Sequence, residues 1–199
     1  MRLHLIAGGF LLLGLGSITV AAQSGSASTG PAAGSIANPA AAFDTQLAGI
    51  EGEMMSAVKA MPAGKFSFAP SAAIFVPGQK TEFASVRTFA QQATHVAEAN
   101  YYFYNIVSGL KPDVDPDSVL KLTNKDDVVA ALANSFTYAH RAIALLTPAN
   151  AFEVVNSNEP GFQTRATLSA FGIAHAFDHY GQMVEYLRMN GIVPPASAK

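Results

Sequence analysis

The residues whose type and spacing most directly suggest chemistry are two histidines near the C-terminus, His175 and His179. They lie four residues apart in a segment of helical periodicity, so a helix would place both imidazoles on one face, about one turn apart. Two ring nitrogens could then bind one metal ion. A spacing of four also arises by chance, and a surface or helix-capping pair is the alternative. Leu168 and Tyr186 share the stripe, which favours a pair that faces the interior.

A metal site needs at least a third ligand, and we expect it from another helix. His95, near the middle of the second predicted helix, is the best placed of the remaining histidines. His140 lies beside the apolar stripe of the third helix and next to Arg141, so we interpret it as a partly exposed structural histidine. The predicted metal ligands are therefore His95, His175 and His179. Three neutral nitrogens leave coordination positions for water or substrate, as in catalytic sites.

The composition of the chain limits the chemistry of such a site. None of the 199 residues is a cysteine, which excludes a thiolate zinc site, an iron–sulfur cluster, a cysteine nucleophile and a disulfide scaffold. Any ion would be held by imidazole and carboxylate. That donor set suits zinc, nickel, manganese or iron, so we predict one divalent ion without choosing among them. A formal net charge of -2 provides no basic field, and we expect no nucleic-acid partner.

Alternating aspartates in the loop after the second predicted helix resemble part of a calcium-binding loop. Asp113, Asp115 and Asp117 follow this pattern. The glycine and the terminal glutamate that a calcium loop requires are missing. We therefore do not predict calcium binding.

The first 22 residues have the features of a secretory signal peptide. Arg2 supplies the positive start, an apolar run covers residues 5–20, and residues 20–22 form a cleavage site before Gln23. An uncleaved membrane anchor is the alternative, because this run approaches the minimum length of a span. The run is short and rich in glycine, so we expect cleavage and export to the periplasm or the medium. The mature protein should then have no stable membrane insertion.

The rest of the chain divides into a linker and one helical domain. Residues 23–40 are mainly Ser, Gly, Ala, Pro and Thr, which is typical of a flexible, disordered linker. Over residues 41–195, apolar residues recur at steps of three and four in four segments, which predicts an all-α four-helix bundle. An aromatic, proline-rich passage at residues 66–77 should be an ordered loop packed on the bundle. The predicted helices run from Phe43 to Met61, Thr81 to Gly109, Thr123 to Thr147 and Thr164 to Asn190.

Three stretches of the sequence resemble the DinB-like superfamily of metal-binding proteins. They are the segment His95–Tyr102, the pair His175 and His179, and the tail from His179 to Pro195, which is the most specific of the three. The resemblance extends from about residue 43 to residue 195. It implies a four-helix bundle with one long crossover, frequent dimers and a divalent metal held by three histidines. Transferred to this chain, those ligands are again His95, His175 and His179.

The resemblance implies less about the reaction than about the site. Characterised relatives include thiol-dependent S-transferases and an isomerase, in which a bound metal lowers the pKa of a cofactor thiol. A three-histidine ion could also generate hydroxide for hydrolysis. Export argues against thiol chemistry, because small thiol cofactors belong to the reducing cytosol. We predict a metal-dependent hydrolase-like enzyme or transferase that acts on a small molecule and could form a homodimer. A non-catalytic metal-binding or interaction bundle is the alternative.

Four further side chains are candidates for supporting roles. Glu98 and Asp178 are close to the histidines in sequence and could orient an imidazole or act as a base, with solvated surface carboxylates as the alternative. Tyr102 lies two turns after the histidine of the second helix and could reach the metal pocket or pack in the core. Gln182, one turn further along the last helix, could donate a hydrogen bond to a bound substrate.

Overall fold

The computed structural model describes residues 32–35, 37–71, 74, 76–79 and 86–198. The predicted signal peptide and residues 23–31 of the predicted linker lie outside the described residues. The described residues before the domain, 32–35, form a turn in which Ser35 Oγ donates to the carbonyl of Ala32 at 2.6 Å, and they belong to a separate N-terminal unit. The second unit extends from Ile36 to the C-terminus.

Five α-helices and no strand are found in the part of the chain that the structure describes, which confirms the predicted all-α class. Two further short segments, Ala63–Lys65 and Pro195–Ser197, are single 3₁₀ turns. None of the described helices is long and apolar enough to cross a membrane. The helices are α1 (Pro39–Ala60), α2 (Phe89–Ser108), α3 (Pro116–Val119), α4 (Lys125–Ile143) and α5 (Arg165–Met189).

The first helix begins earlier than the predicted domain boundary at residue 41. The Asn38 side chain accepts a hydrogen bond from the amide of Ala40 at 2.9 Å, and Pro39 occupies the first helical position, where a missing N–H costs nothing. Two residues that we assign to the linker from the sequence, 39 and 40, therefore form the first turn of α1. The predicted apolar stripe is buried at Leu47, Ile50, Met54 and Val58.

The predicted start of the second helix near Thr81 is wrong. Residues 86–88 are not helical, and α2 begins at Phe89. Thr88 Oγ1 accepts from the amide of Gln91 at 3.2 Å, while the Gln91 side chain accepts from the amide of Thr88 at 2.9 Å. This capping box satisfies amides that would otherwise lack partners, and it fixes the helix start. Gly109, at φ 77°, ends α2 as predicted.

The predicted ends of the third long helix also need correction. Asn124, not Thr123, caps α4, because its side chain accepts from the amide of Asp126 at 2.8 Å. The helix ends at Ile143, before the predicted stop at Thr147. Between the end of the helix and Thr147, the chain continues in hydrogen-bonded turns as far as residue 146. The predicted stop therefore marks the end of these turns and not the end of the helix. The last helix agrees with its prediction: Thr164 caps α5 and Asn190 follows its last residue.

Side-chain contacts fix the relative directions of α1, α2 and α4. His140, near the end of α4, contacts Asp44 in the first turns of α1, whereas Lys125 at the start of α4 donates to the carbonyl of Met61 after α1. These two helices are therefore antiparallel. Phe66 packs edge to face on Phe89 and lies under the Lys125 ammonium, which places the starts of α2 and α4 at the same end. Because α2 and α4 pack together and start at the same end, they are parallel.

A long connection follows from this parallel pair. Residues 109–124 return along α2 from its end to its start and include α3, a helical turn in a stretch that we predict as a loop. The connection contacts α4 at one end, where Tyr138 Oη donates to the carbonyl of Leu110 at 2.5 Å. Further along, Leu120 lines a cavity together with Thr94 and His95. This crossover thereby brings an apolar side chain to the face of α2 that carries the predicted ligand.

The aromatic passage after α1 packs on the bundle where the structure describes it. Phe66 is buried, and its carbonyl accepts from the amide of Ala90 at 2.9 Å. The carbonyl of Phe68 accepts from the amide of Phe89 at 2.8 Å. These bonds supply partners for the first amides of α2. Phe75 lies outside the described residues.

Candidate metal centre

The structure brings His95, His175 and His179 together between α2 and α5. Nε2 of His175 lies 3.1 Å from Nε2 of His179 and 3.2 Å from Nε2 of His95. The three ligand atoms are all within 4.8 Å of one another. His179 is buried, and the other two imidazoles are partly exposed. Three ring nitrogens thus converge on one point, which is reached from solvent on one side.

Two helices that run in opposite directions position this cluster. Helix α5 carries His175 and His179 on consecutive turns of one face, and α2 supplies His95 from the facing helix. Contacts on either side show the antiparallel register: Gln92 bonds to Gln182 before the cluster, and Tyr104 bonds to the carbonyl of Ser169 beyond it. The helical spacing therefore determines the site once α2 and α5 are packed in this register.

A chain of hydrogen bonds, here called the glutamine chain, joins His179 to a carboxylate. The Gln182 side chain donates to Asp178 Oδ2 at 3.0 Å, and its oxygen accepts from Gln92 Nε2 at 2.8 Å. The oxygen of Gln92 then lies 2.6 Å from His179 Nδ1. Gln92 is only 2% exposed, so its amide could not exchange these partners for water.

The glutamine chain has one consistent direction, and it determines the proton position on His179. A carboxylate accepts only, so the Gln182 amide nitrogen must be the donor to Asp178. The Gln182 oxygen is then left to accept from Gln92, and the Gln92 oxygen to accept from the imidazole. His179 therefore carries its proton on Nδ1, and the lone pair of Nε2 points at the other histidines.

Burial keeps two of the three imidazoles neutral. Loss of solvation, with positive charge at the neighbouring histidines and Arg87, lowers the pKa of His175 to about 3. The same kind of burial, followed by the charge of His95, lowers the pKa of His179 to about 4, and the nearby Asp178 only partly opposes this. At neutral pH both rings are unprotonated on one nitrogen, which is the state that binds a metal.

The donor set fits a divalent ion better than it fits a hydrogen-bonded cluster. A proton on His175 Nε2 could be donated to only one of its two neighbours, so other lone pairs would remain face to face. A cation bound by all three nitrogens removes that repulsion. Nitrogens about 2.0–2.1 Å from a tetrahedral ion are roughly 3.3 Å apart, close to the separations of 3.1 and 3.2 Å seen here.

The three-histidine cluster has different neighbours on its two sides along the groove between α2 and α5. The glutamine chain borders the cluster on one side. On the other side, the Phe103 ring meets His175 edge to face at 5.5 Å, and Phe171 stands 6.3 Å from the same imidazole. Phe162 stacks on Phe171 at 4.5 Å. One side of the site is therefore polar and tightly bonded, and the other is an aromatic wall.

A cavity of about 400 Å³ opens beside His95. It lies between the start of α2, the extended residues before that helix, and the crossover. Arg87 is exposed at this cavity, and its backbone carbonyl accepts a hydrogen bond from Tyr186 Oη at 3.0 Å. The residues that line the cavity are Val86, Arg87, Gln91, Thr94, His95 and Leu120.

The family model described as the DinB superfamily matches residues 46–183, more than half of the chain. The chain belongs to the DinB superfamily. The match includes all three histidines of the cluster, and it confirms the family resemblance predicted from the sequence. A search of curated proteins finds no match to this DinB-superfamily chain.

The supporting residues predicted from the sequence occupy different positions around this DinB-superfamily site. Glu98 is near it, with Oε2 3.6 Å from His95 Nδ1. Asp178 ends the glutamine chain and is linked to His179 through two amides. Gln182 is a member of that chain, so its oxygen and its nitrogen already have protein partners. Tyr102 Oη accepts from Asn158 Nδ2 at 3.3 Å and lines a second cavity, where Glu98 is also found.

The fourth histidine lies in a separate cluster between α1 and α4. His140 Nδ1 is 2.5 Å from Asp44 Oδ1, and Nε2 is 3.0 Å from Glu51 Oε2. Burial lowers the pKa of His140, but the hydrogen bonds to Asp44 and Glu51 and their negative charge outweigh it, so the pKa is raised above 6.5. Both ring nitrogens can donate when the imidazole is charged. His140 is thus a half-buried structural residue, in agreement with its interpretation from the sequence.

The aspartates that the sequence singles out, and Arg188 near the end of α5, have ordinary structural partners. Asp115 caps α3 through the amide of Asp117 at 3.2 Å, and Asp113 pairs with Arg141 at 2.9 Å. Arg188 pairs with Glu185 one turn away. The aspartates therefore do not converge as calcium ligands would.

The sequence patterns do not predict two residues that lie next to the cluster. Gln92 contacts His179 directly, and Arg87 lies on the cavity wall. The position of Gln92, three residues before His95, was an available signal, because residues three apart share a helix face. Arg87 gave no such signal, because it precedes the helix and reaches the cavity only through the tertiary fold.

Proposed function

We propose that this protein is an exported member of the DinB superfamily that binds one divalent metal ion through His95, His175 and His179. In this proposal the ion serves an enzymatic reaction on a small molecule. The observation that carries it is the convergence of three Nε2 atoms at separations of 3.1 and 3.2 Å beside a cavity of about 400 Å³. Three protein ligands leave room for water or substrate at the ion, as catalytic sites require.

A bound ion would supply Lewis-acid chemistry, either activating water or polarising an electrophile. The residues of the chain have separate tasks. The glutamine chain holds His179 with its Nε2 lone pair towards the ligand position, and Phe103 and Phe171 shield one side from water. Glu98, at 3.6 Å from His95 Nδ1, can orient that ring. Because we also propose export, hydrolysis is favoured over a reaction with a thiol cofactor.

The first test is the metal content of protein purified without a histidine tag. We expect close to one zinc, nickel, manganese or iron ion per chain in the wild type, and loss of that ion in His175→Ala and in His179→Ala. His140→Ala is the matched control, because it removes an imidazole that lies outside the cluster. A wild-type protein that binds none of the four metals at micromolar concentrations would contradict the proposal.

The non-catalytic alternative is a bundle that holds the ion for stability or for metal capture. A panel of ester, amide and phosphoester substrates separates the two functions. Turnover by the metal-loaded wild type that disappears in His175→Ala and persists in His140→Ala supports an enzyme. Metal binding without turnover on any of these substrates supports the alternative.

Export is tested by fractionation of expressing cells and by sequencing the N-terminus of the product. We expect a mature chain that begins at Gln23 outside the cytoplasm. A chain that retains Met1 and stays with the membrane would favour the uncleaved anchor. A chain that retains Met1 in the cytoplasm would contradict export. We also propose a homodimer, which light scattering on the purified protein would test.

A further inference from the structure

We propose that the cavity beside His95 is an anion-binding subsite and that the small molecule of the proposed function carries a carboxylate or phosphate group that pairs with Arg87. This inference rests on the proposed function, because it assigns a substrate class to the same metal centre. It is carried by the position of Arg87, the charge balance of the site, and the chemistry of the cavity walls.

Arg87 is held in place at the entrance of the site. It immediately precedes Thr88, the capping residue of α2, so its backbone is fixed by the start of that helix. Its carbonyl accepts from Tyr186 Oη of α5 at 3.0 Å, which ties this backbone to the helix that carries two of the histidines. The exposed side chain lines the cavity together with His95. The anchored backbone fixes the origin of the side chain, so the guanidinium stays within reach of the cavity.

The charges at the site leave a positive excess. Imidazole ligands contribute no negative charge to a divalent ion, and Arg87 adds a positive charge on the wall of the same cavity that His95 lines. Among the described residues that line the cavity, none is acidic. A ligand that binds between the ion and Arg87 is therefore favoured if it is an anion. A guanidinium also matches the two oxygens of a carboxylate or phosphate.

The remaining walls indicate a small organic anion. Val86 and Leu120 are apolar, whereas Gln91 and Thr94 are polar. The Gln91 oxygen is used in the helix cap, so its amide nitrogen is the group that can donate to a ligand. A volume of about 400 Å³ accommodates a small molecule. The cavity thus combines an anion-binding side chain, one neutral donor and an apolar surface.

The test uses the full-length mature chain loaded with cobalt, whose absorption spectrum reports ligands at the ion. Three probes are titrated: benzoate and phenylphosphonate, which are anions with an apolar ring, and imidazole, which is neutral. We expect Arg87→Gln to weaken binding of the better anion about tenfold or more, with unchanged cobalt content and imidazole binding within about twofold. Arg87→Lys should retain part of the anion affinity. Arg188→Gln is the matched control and should behave as wild type.

Each outcome decides the proposal. If Arg87→Gln binds both anions as well as the wild type does, or if neither anion binds to the cobalt protein, the subsite does not exist. If the wild type holds no cobalt, the proposed function fails separately. Calorimetric titration of the same anions into metal-free protein then decides the subsite by whether binding depends on Arg87. The tighter of the two anions identifies the carboxylate or the phosphate class.

Discussion

The proton position on His179 depends on residues that do not touch the ligand position. The Asp178 carboxylate fixes the orientation of Gln182, which fixes that of Gln92, which accepts from His179 Nδ1. In a chain of this kind, a distant acceptor determines which nitrogen of the imidazole is available. The prediction from sequence that Asp178 could orient an imidazole therefore has a physical route, through two amides.

Replacing Gln92 should weaken the proposed metal binding while the fold survives. In Gln92→Leu the acceptor for His179 Nδ1 is lost, and the proton is free to move to Nε2. We expect metal affinity to fall roughly 10–100-fold, as for other lost partners of metal-binding histidines. Gln92→Glu still offers an acceptor oxygen, so it should retain more affinity than Gln92→Leu.

Competition with a chromophoric chelator measures these affinities, and circular dichroism confirms the helical content. Gln46→Leu is a suitable control, because Gln46 is an exposed residue of the same type on α1. Equal metal affinity in wild type and Gln92→Leu would show that the glutamine chain has no influence on the imidazole.

His140 should stabilise the protein more at acidic than at basic pH. Its pKa is raised above 6.5 in the folded state, so folding favours the charged ring. The contribution is complete below about pH 6.5 and disappears as the pH rises through the raised folded value. Because Asp44 is half exposed, we expect a difference of only about 1 kcal/mol in the free energy of unfolding between wild type and His140→Ala at acidic pH.

Urea unfolding of both proteins at pH 5.5 and pH 9 tests this dependence. The gap between wild type and His140→Ala should be larger at the lower pH. A gap that is the same at both values, or larger at pH 9, would mean that His140 contributes through packing instead of charge.

The sequence is sufficient to predict the three histidines of the cluster but not the residues that surround them. A spacing of four in one helix is a local property, and His95 was the best-placed histidine that remained. Gln92 and Arg87 depend on the register between α2 and α5 and on the path of the chain before α2. Neither the helix register nor the path of the chain is encoded in a local pattern. A single sequence therefore does not identify Gln92 and Arg87 as neighbours of the site.

At the level of helices, one glycine sets how closely α2 and α5 approach. A Cβ atom added to Gly172 would lie 3.0 Å from Tyr104 Oη and 3.1 Å from the ring carbon that bears it. Tyr104 is completely buried, so its ring has little space to move. The close approach also lets Tyr104 Oη donate to the carbonyl of Ser169 at 3.4 Å.

Gly172→Ala should therefore destabilise the protein, although alanine is the better helix former. We expect the overpacking to cost about 1–3 kcal/mol, which exceeds the gain in helix propensity of up to about 1 kcal/mol. Gly181→Ala is the matched control on the same helix, because no atom lies within 4 Å of its added Cβ. Thermal unfolding should give a lower melting temperature for Gly172→Ala and an equal or higher one for Gly181→Ala. The opposite order would contradict the close contact.

The helix boundaries show which local signals are reliable. Thr164 and Asn190 delimit α5 as predicted, because a capping residue and a terminal Asn-Gly pair coincide with the limits of the apolar pattern. At α2 the two signals disagree. Apolar residues continue the helical period before Thr88, but the capping box of Thr88 and Gln91 starts the helix there. The capping signal was the better guide, since it satisfies specific amides whereas periodicity only describes composition.

For the molecule as a whole, the proposed ion should add measurable stability. An ion that binds only the folded state contributes about 2.7 kcal/mol when its free concentration is 100 times its dissociation constant. For a chain of this size that corresponds to a rise in melting temperature of roughly 5–10 °C. Addition of a chelator should reverse the rise in the wild type and in His140→Ala. His175→Ala should melt at the same temperature with and without metal, and a metal-dependent shift in this variant would place the ion elsewhere.

The histidines also divide the bundle into two halves that respond to acid in opposite ways. His140 joins α1 to α4 and strengthens that contact when it takes up a proton, whereas protons would compete with the proposed metal for the imidazoles between α2 and α5. Acidification would therefore strengthen the contact between α1 and α4 and weaken the proposed metal binding between α2 and α5. The proposed ion should therefore be lost at a pH at which the contacts of His140 with α1 are still intact.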